Sequence, residues 1–67
     1  MNITLNNRKE SFAHTRMTVS ELLKEKNFTF RLLVVKINDQ LIRKEYYESA
    51  SISDGDKVDV IHLISGG

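Results

Sequence analysis

The 67 residues include ten Lys or Arg against nine Asp or Glu, for a formal net charge of +1, and contain neither cysteine nor proline. That balance gives no bulk electrostatic reason to expect nucleic acid or an anionic membrane as partner, and the missing thiols exclude a disulfide, a thiolate metal site and a cysteine nucleophile. The length predicts one domain, 1–67, near the size at which a single core stabilises a chain by only a few kcal/mol. No apolar run approaches transmembrane length and the first residues alternate rather than form a signal-peptide core, which points to the cytoplasm.

Met1, Ile3 and Leu5 alternate with Asn2, Thr4 and Asn6, the period of a strand with one buried face. Asn6-Asn7 is a turn signal because Asn tolerates left-handed dihedrals, so Arg8 to Ala13 is expected to return as a polar partner strand anchored by Phe12. Thr18-Val19-Ser20-Glu21 has capping-box spacing, with Met17 and Leu22 placed as a hydrophobic staple. The helix it opens is expected to end near Asn27, turning Val19, Leu22 and Leu23 towards a sheet and Lys24 and Glu25 towards water.

Phe28 to Arg31 reads as a loop. Leu32 to Ile37 is an apolar, β-branched run stopped by Asn38-Asp39, which predicts a central strand followed by a short one at Leu41-Ile42. Lys44 to Glu48 lacks strand alternation and is expected to make one helical turn, its tyrosine rings capping the sheet. Asp54-Gly55-Asp56 is a sharp turn, not a calcium loop, since the residues after it supply no further oxygen ligands at the required spacing. Lys57 to Ile64 then forms the last strand.

This order permits an α+β fold with one helix on a mixed four- to five-stranded sheet, the first and last strands adjacent and parallel at its centre: a β-grasp. In the last strand Val58 and Val60 should face the helix, leaving Ile61 and Leu63 on the open face, either as a docking patch or as scattered surface apolar residues. His62 alternates with both and, like His14, reads as structural; two histidines without cysteines make no zinc pattern, and no metal site is expected. The final Ile64-Ser65-Gly66-Gly67 is expected to form a flexible tail over 65–67. It is either a frayed terminus or an unhindered carboxylate that slides extended into a narrow channel of another protein. A carboxylate is a poor electrophile, and the sequence has no Gly-rich phosphate loop with which to activate its own.

Met1-Asn2-Ile3, Thr18-Val19-Ser20-Glu21-Leu22-Leu23, Val35-Lys36-Ile37-Asn38, Asp54-Gly55-Asp56-Lys57-Val58 and Ile61-His62-Leu63-Ile64-Ser65-Gly66-Gly67 together resemble the ThiS family of ubiquitin-like sulfur carriers, over the full length. The resemblance implies a carrier and not an enzyme: Gly67 is adenylated by a ThiF-type enzyme using that enzyme's ATP, and no cofactor is bound by this chain. Gly67 then becomes a thiocarboxylate with sulfur from a donor protein, and thiazole synthase receives that sulfur for the thiazole ring of thiamine. Gly66 carries over from the family with Gly67; Ile61 and Leu63, from their place on the last strand, join Ser65 and Gly66 as the expected partner contacts, with the free protein expected to be monomeric. Ser65 departs from the glycine or alanine usual in the family, and Gln40-Leu41-Ile42-Arg43 lacks a proline often found there. A carrier for molybdopterin synthesis and a ubiquitin-like protein modifier share the fold and tail and remain alternatives.

Overall fold

A computed structural model of the protein describes residues 1–29 and 32–63. Its elements run β1 (Asn2–Leu5), β2 (Arg8–Ser11), β3 (Arg16–Thr18), α1 (Val19–Glu25), β4 (Leu33–Ile37), β5 (Gln40–Ile42), a 3-10 turn (Lys44–Tyr46), β6 (Ser51–Ser53) and β7 (Lys57–His62). Among the described residues the main sheet has the order β2-β1-β7-β4-β5, and β3 and β6 make a separate two-stranded sheet. β7 lies in the middle, parallel to β1 and antiparallel to β4. This is the β-grasp arrangement that the element order predicts.

Both hairpins turn on two residues with positive φ, Asn6 and Asn7 at 50° and 66° and Asn38 and Asp39 at 50° and 68°. Two left-handed residues match the right-handed twist of the strands they join, and Asn and Asp adopt that conformation more readily than other residues with a side chain. They fix the register at Leu5 opposite Arg8 and at Ile37 opposite Gln40.

The helix begins where the sequence places it. Thr18 Oγ1 accepts from the Glu21 amide at 3.2 Å and Glu21 Oε1 accepts from the Thr18 amide at 2.8 Å. Those bonds, the backbone one foremost, hold the Glu21 carboxyl below its ordinary pKa. At the other end Phe28 N–H donates to the Leu23 carbonyl and Asn27 N–H to that of Lys24, with Asn27 at φ 58°. This pair of bonds across a left-handed residue is the Schellman motif. Seven residues form no stable helix in water alone, so α1 depends on the core it covers. Val19 and Leu22 are buried with Ile3, Leu5, Met17, Val35, Ile52, Val58 and Val60, and Leu23 packs on them.

Two expectations need correction. β3 and β6 are absent from the sequence reading; each is three residues long with one buried side chain, Met17 or Ile52, and exists through its pairing with the other. Of the two tyrosines, only Tyr47 covers the core. Its hydroxyl reaches towards the Leu33 carbonyl at 3.5 Å and burial pushes its phenol above the ordinary pKa, whereas Tyr46 is largely exposed. Phe30 and Arg31 of the expected loop, and Ile64, Ser65, Gly66 and Gly67 of the expected strand end and tail, lie outside the described residues. Among those described, no helix is long and apolar enough to cross a membrane.

Candidate functional site: the open sheet face beside the last strand

Strand alternation sorts β7 into two sides. Val58 and Val60 are buried, as expected, while Ile61 and Leu63 are 44% and 47% exposed on the side away from the helix. Asp59 shares that side by parity and is half-buried. His62 is exposed. His14 stands 3.4 Å from Glu25 on the surface, a solvated pair of the kind that contributes little.

Register carries the same face across the sheet. Ile61 stands opposite Val34, and Asp59 opposite Lys36, which in turn faces Leu41 of β5. Leu63 N–H donates to the Leu32 carbonyl at 3.0 Å, which extends the ladder by one residue. Leu32 is 48% exposed and Leu41 is 61% exposed. The patch therefore has five apolar members, Leu32, Val34, Leu41, Ile61 and Leu63, where reasoning along a single strand found Ile61 and Leu63. The signal for Leu41 was present in the sequence, because a two-residue turn at Asn38-Asp39 sets it opposite Lys36.

Polar groups fill the other half of this face. Lys57 stands beside Thr4, and Thr4 opposite Lys9. Lys57 Nζ donates to Asp39 Oδ1 at 3.0 Å. This hydrogen bond, and then the charges of Asp39 and Asp59, hold its ammonium above the ordinary pKa.

The root of the C-terminal segment is fixed from both sides. On one flank β7 pairs with β4 as far as His62. On the other, β1 ends at Leu5 and the Asn6 side chain continues in its place: Asn6 N–H donates to the Val58 carbonyl at 2.9 Å and Asn6 Oδ1 accepts from Val60 N–H at 2.8 Å. No cluster of three or more His, Cys, Asp or Glu side chains gathers among the described residues. What the arrangement offers is a last strand bonded on both flanks, with an apolar surface beside its end at Leu63.

One helix on a mixed sheet with the first and last strands parallel at its centre places the chain in the ubiquitin-like, β-grasp class of folds. The ThiS family model matches residues 2–67, and the chain belongs to that family. The crystal structure of the thiamine biosynthesis protein ThiS of Geobacter metallireducens superposes with a TM-score of 0.90 at 25% identity, covering 100% of both chains. The sulfur carrier protein ThiS of Bacillus subtilis (strain 168) is 28% identical over 50 residues, 75% of this chain and 76% of that one. A thiazole synthase of Paramagnetospirillum magneticum is 31% identical over 67 residues, and this chain spans only 20% of its length.

Proposed function

We propose that this protein is a sulfur carrier for thiamine thiazole formation, a co-substrate and not a catalyst, with Gly67 as the carried group. Membership of the ThiS family through residue 67 is the observation that carries the reading. A segment similar to this whole chain within a protein named thiazole synthase supports it further, since a carrier and the enzyme it serves can share one polypeptide.

The Gly67 carboxylate oxygen attacks the α-phosphorus of ATP held by a ThiF-type enzyme, and pyrophosphate leaves. A sulfur donor protein supplying the equivalent of hydrosulfide then attacks the acyl carbon and AMP leaves, giving a thiocarboxylate. Its sulfur is a nucleophile that neutral pH keeps ionised, ready for the thiazole synthase acceptor. Gly66 gives a partner channel close access to the backbone, and Ser65 before it is small. Ordering each tail residue in such a channel costs about 1 to 2 kcal/mol, so contacts by the body, with Ile61 and Leu63 among them, must offset that cost.

Deleting Gly67, or adding one residue after it, is expected to leave the thermal midpoint nearly unchanged and to abolish adenylation, read as pyrophosphate release with the activating enzyme and ATP. With a sulfur donor present, the intact mass of the wild-type protein should show oxygen replaced by sulfur. Conjugates to other proteins on a gel, with no free thiocarboxylate, would replace the carrier reading with that of a modifier.

A further inference from the structure

We infer that Asp54-Gly55 is a site of spontaneous backbone isomerisation, and that the first residue of β1 holds the reaction in check by bonding both groups that would react. Asp54 is the only Asp or Asn in the sequence that a glycine follows. Glycine matters because the amide nitrogen after Asp54 must reach the side-chain carboxyl, and a Cβ on that next residue would stand in the way. Asn2 N–H donates to Asp54 Oδ1 at 2.6 Å, and Gly55 N–H donates to the Asn2 carbonyl at 2.7 Å. One residue of β1 therefore engages the electrophile and the nucleophile together.

Once released, the Gly55 nitrogen loses its proton to base and attacks Asp54 Cγ. A C–N bond forms, the carboxyl hydroxyl, protonated from solvent, leaves as water, and a five-membered succinimide closes. Water then adds back at one of the two ring carbonyls. Opening at Cγ restores aspartate; opening at the main-chain carbonyl breaks its bond to the Gly55 nitrogen and leaves the chain running through Cβ and Cγ of residue 54. The backbone gains one carbon, the mass is unchanged, and nothing is oxidised or reduced. Steric cover does not protect this turn, since Asp54 and Gly55 are exposed and a Cβ at Gly55, φ 87°, would meet nothing within 4 Å. The bonds to Asn2 do. An amide whose proton is held by a carbonyl gives it up to base only when the bond opens, the step that also governs hydrogen exchange. Those bonds stay closed because β1 is fixed at its start, where Phe12 N–H donates to the Met1 carbonyl and the Met1 amine to the Phe12 carbonyl, each at 2.8 Å. An added backbone carbon would reach the sheet as well: Asp56 N–H donates to the Ser53 carbonyl across the altered link, and Thr4 N–H donates to the Asp56 carbonyl just beyond it.

The chain is short enough for chemical synthesis, so the Asn2 amide alone can be N-methylated, which removes the N–H that Asp54 Oδ1 accepts. After incubation in warm neutral buffer, trypsin releases Glu45–Lys57, whose aspartyl and isoaspartyl forms have equal mass and separate by chromatography. The N-methylated protein, folded by circular dichroism, should isomerise at Asp54 at least tenfold faster than wild type, and Asn27→Ala, whose change lies at the end of α1, within twofold of wild type. In wild type at guanidinium concentrations below the unfolding transition, the isomerisation rate should rise in step with exchange of the Gly55 amide and ahead of the Val60 amide; this measurement needs no variant to fold. A folded N-methylated protein that isomerises no faster than wild type overturns the inference, as does a native wild type that isomerises as fast as the unfolded chain. An Asn27→Ala protein accelerated as much as the N-methylated one, or a rate that follows Val60 exchange instead, also overturns it, because protection would then belong to the fold as a whole and not to Asn2.

Discussion

Asn27 shows how much a single backbone conformation asks of its side chain. With φ at 58° it sits where a Cβ is crowded, and it holds that conformation because the last carbonyls of α1 must be satisfied by the turn that follows. Glycine meets the same demand without the steric cost and alanine meets it worse. Asn27→Ala is therefore expected to lower unfolding free energy by about 1 kcal/mol, and Asn27→Gly to leave it unchanged or raise it slightly, both read from urea midpoints at constant slope. A loss equal for both variants would mean that the asparagine side chain, and not the left-handed dihedral, is what matters there.

The elements legible in the sequence are those whose signals are local. The capping box at Thr18 and Glu21, the turns at Asn6-Asn7 and Asn38-Asp39, and the alternation of β1 and β7 each involve residues a few positions apart. β3 and β6 escape because three residues carry too little alternation to register, and what makes them strands is a partner more than thirty positions away. The same limit applies to the candidate site: Ile61 and Leu63 follow from one strand's alternation, whereas Leu32, Val34 and Leu41 require the register of three. Asn6 is a further case. As a turn residue it is readable; as the side chain that takes over from β1 beside Val60, 54 positions away, it is not. Asn6→Gly keeps the left-handed turn but removes the acceptor of a part-buried hydrogen bond from the Val60 amide. Its expected cost is about 1 to 2 kcal/mol, with faster hydrogen exchange at the Val60 amide. Asn6→Asp, which keeps an acceptor oxygen, should exchange at a rate close to wild type.

For the molecule as a whole, one strand serves two opposed purposes on adjacent residues. The helix side of β7 supplies Val58 and Val60 to the core, and the other side supplies Ile61 and Leu63 to the surface. A body of this size has only about 3 to 5 kcal/mol to lose, so the two sides should answer very differently to the same substitution. Val60→Asp places a carboxylate in the apolar core, opposite Val35, at a cost of several kcal/mol, and should leave the chain unfolded at 25 °C by circular dichroism. Ile61→Asp places the same group in water beside Val34. It should cost less than about 1 kcal/mol, the loss of strand preference and of one cross-strand apolar pair, while weakening binding to the proposed adenylating enzyme. Were Ile61→Asp the variant that melts, the face here assigned to a partner would instead be holding the fold together, and the division of β7 between core and docking would have to be reversed.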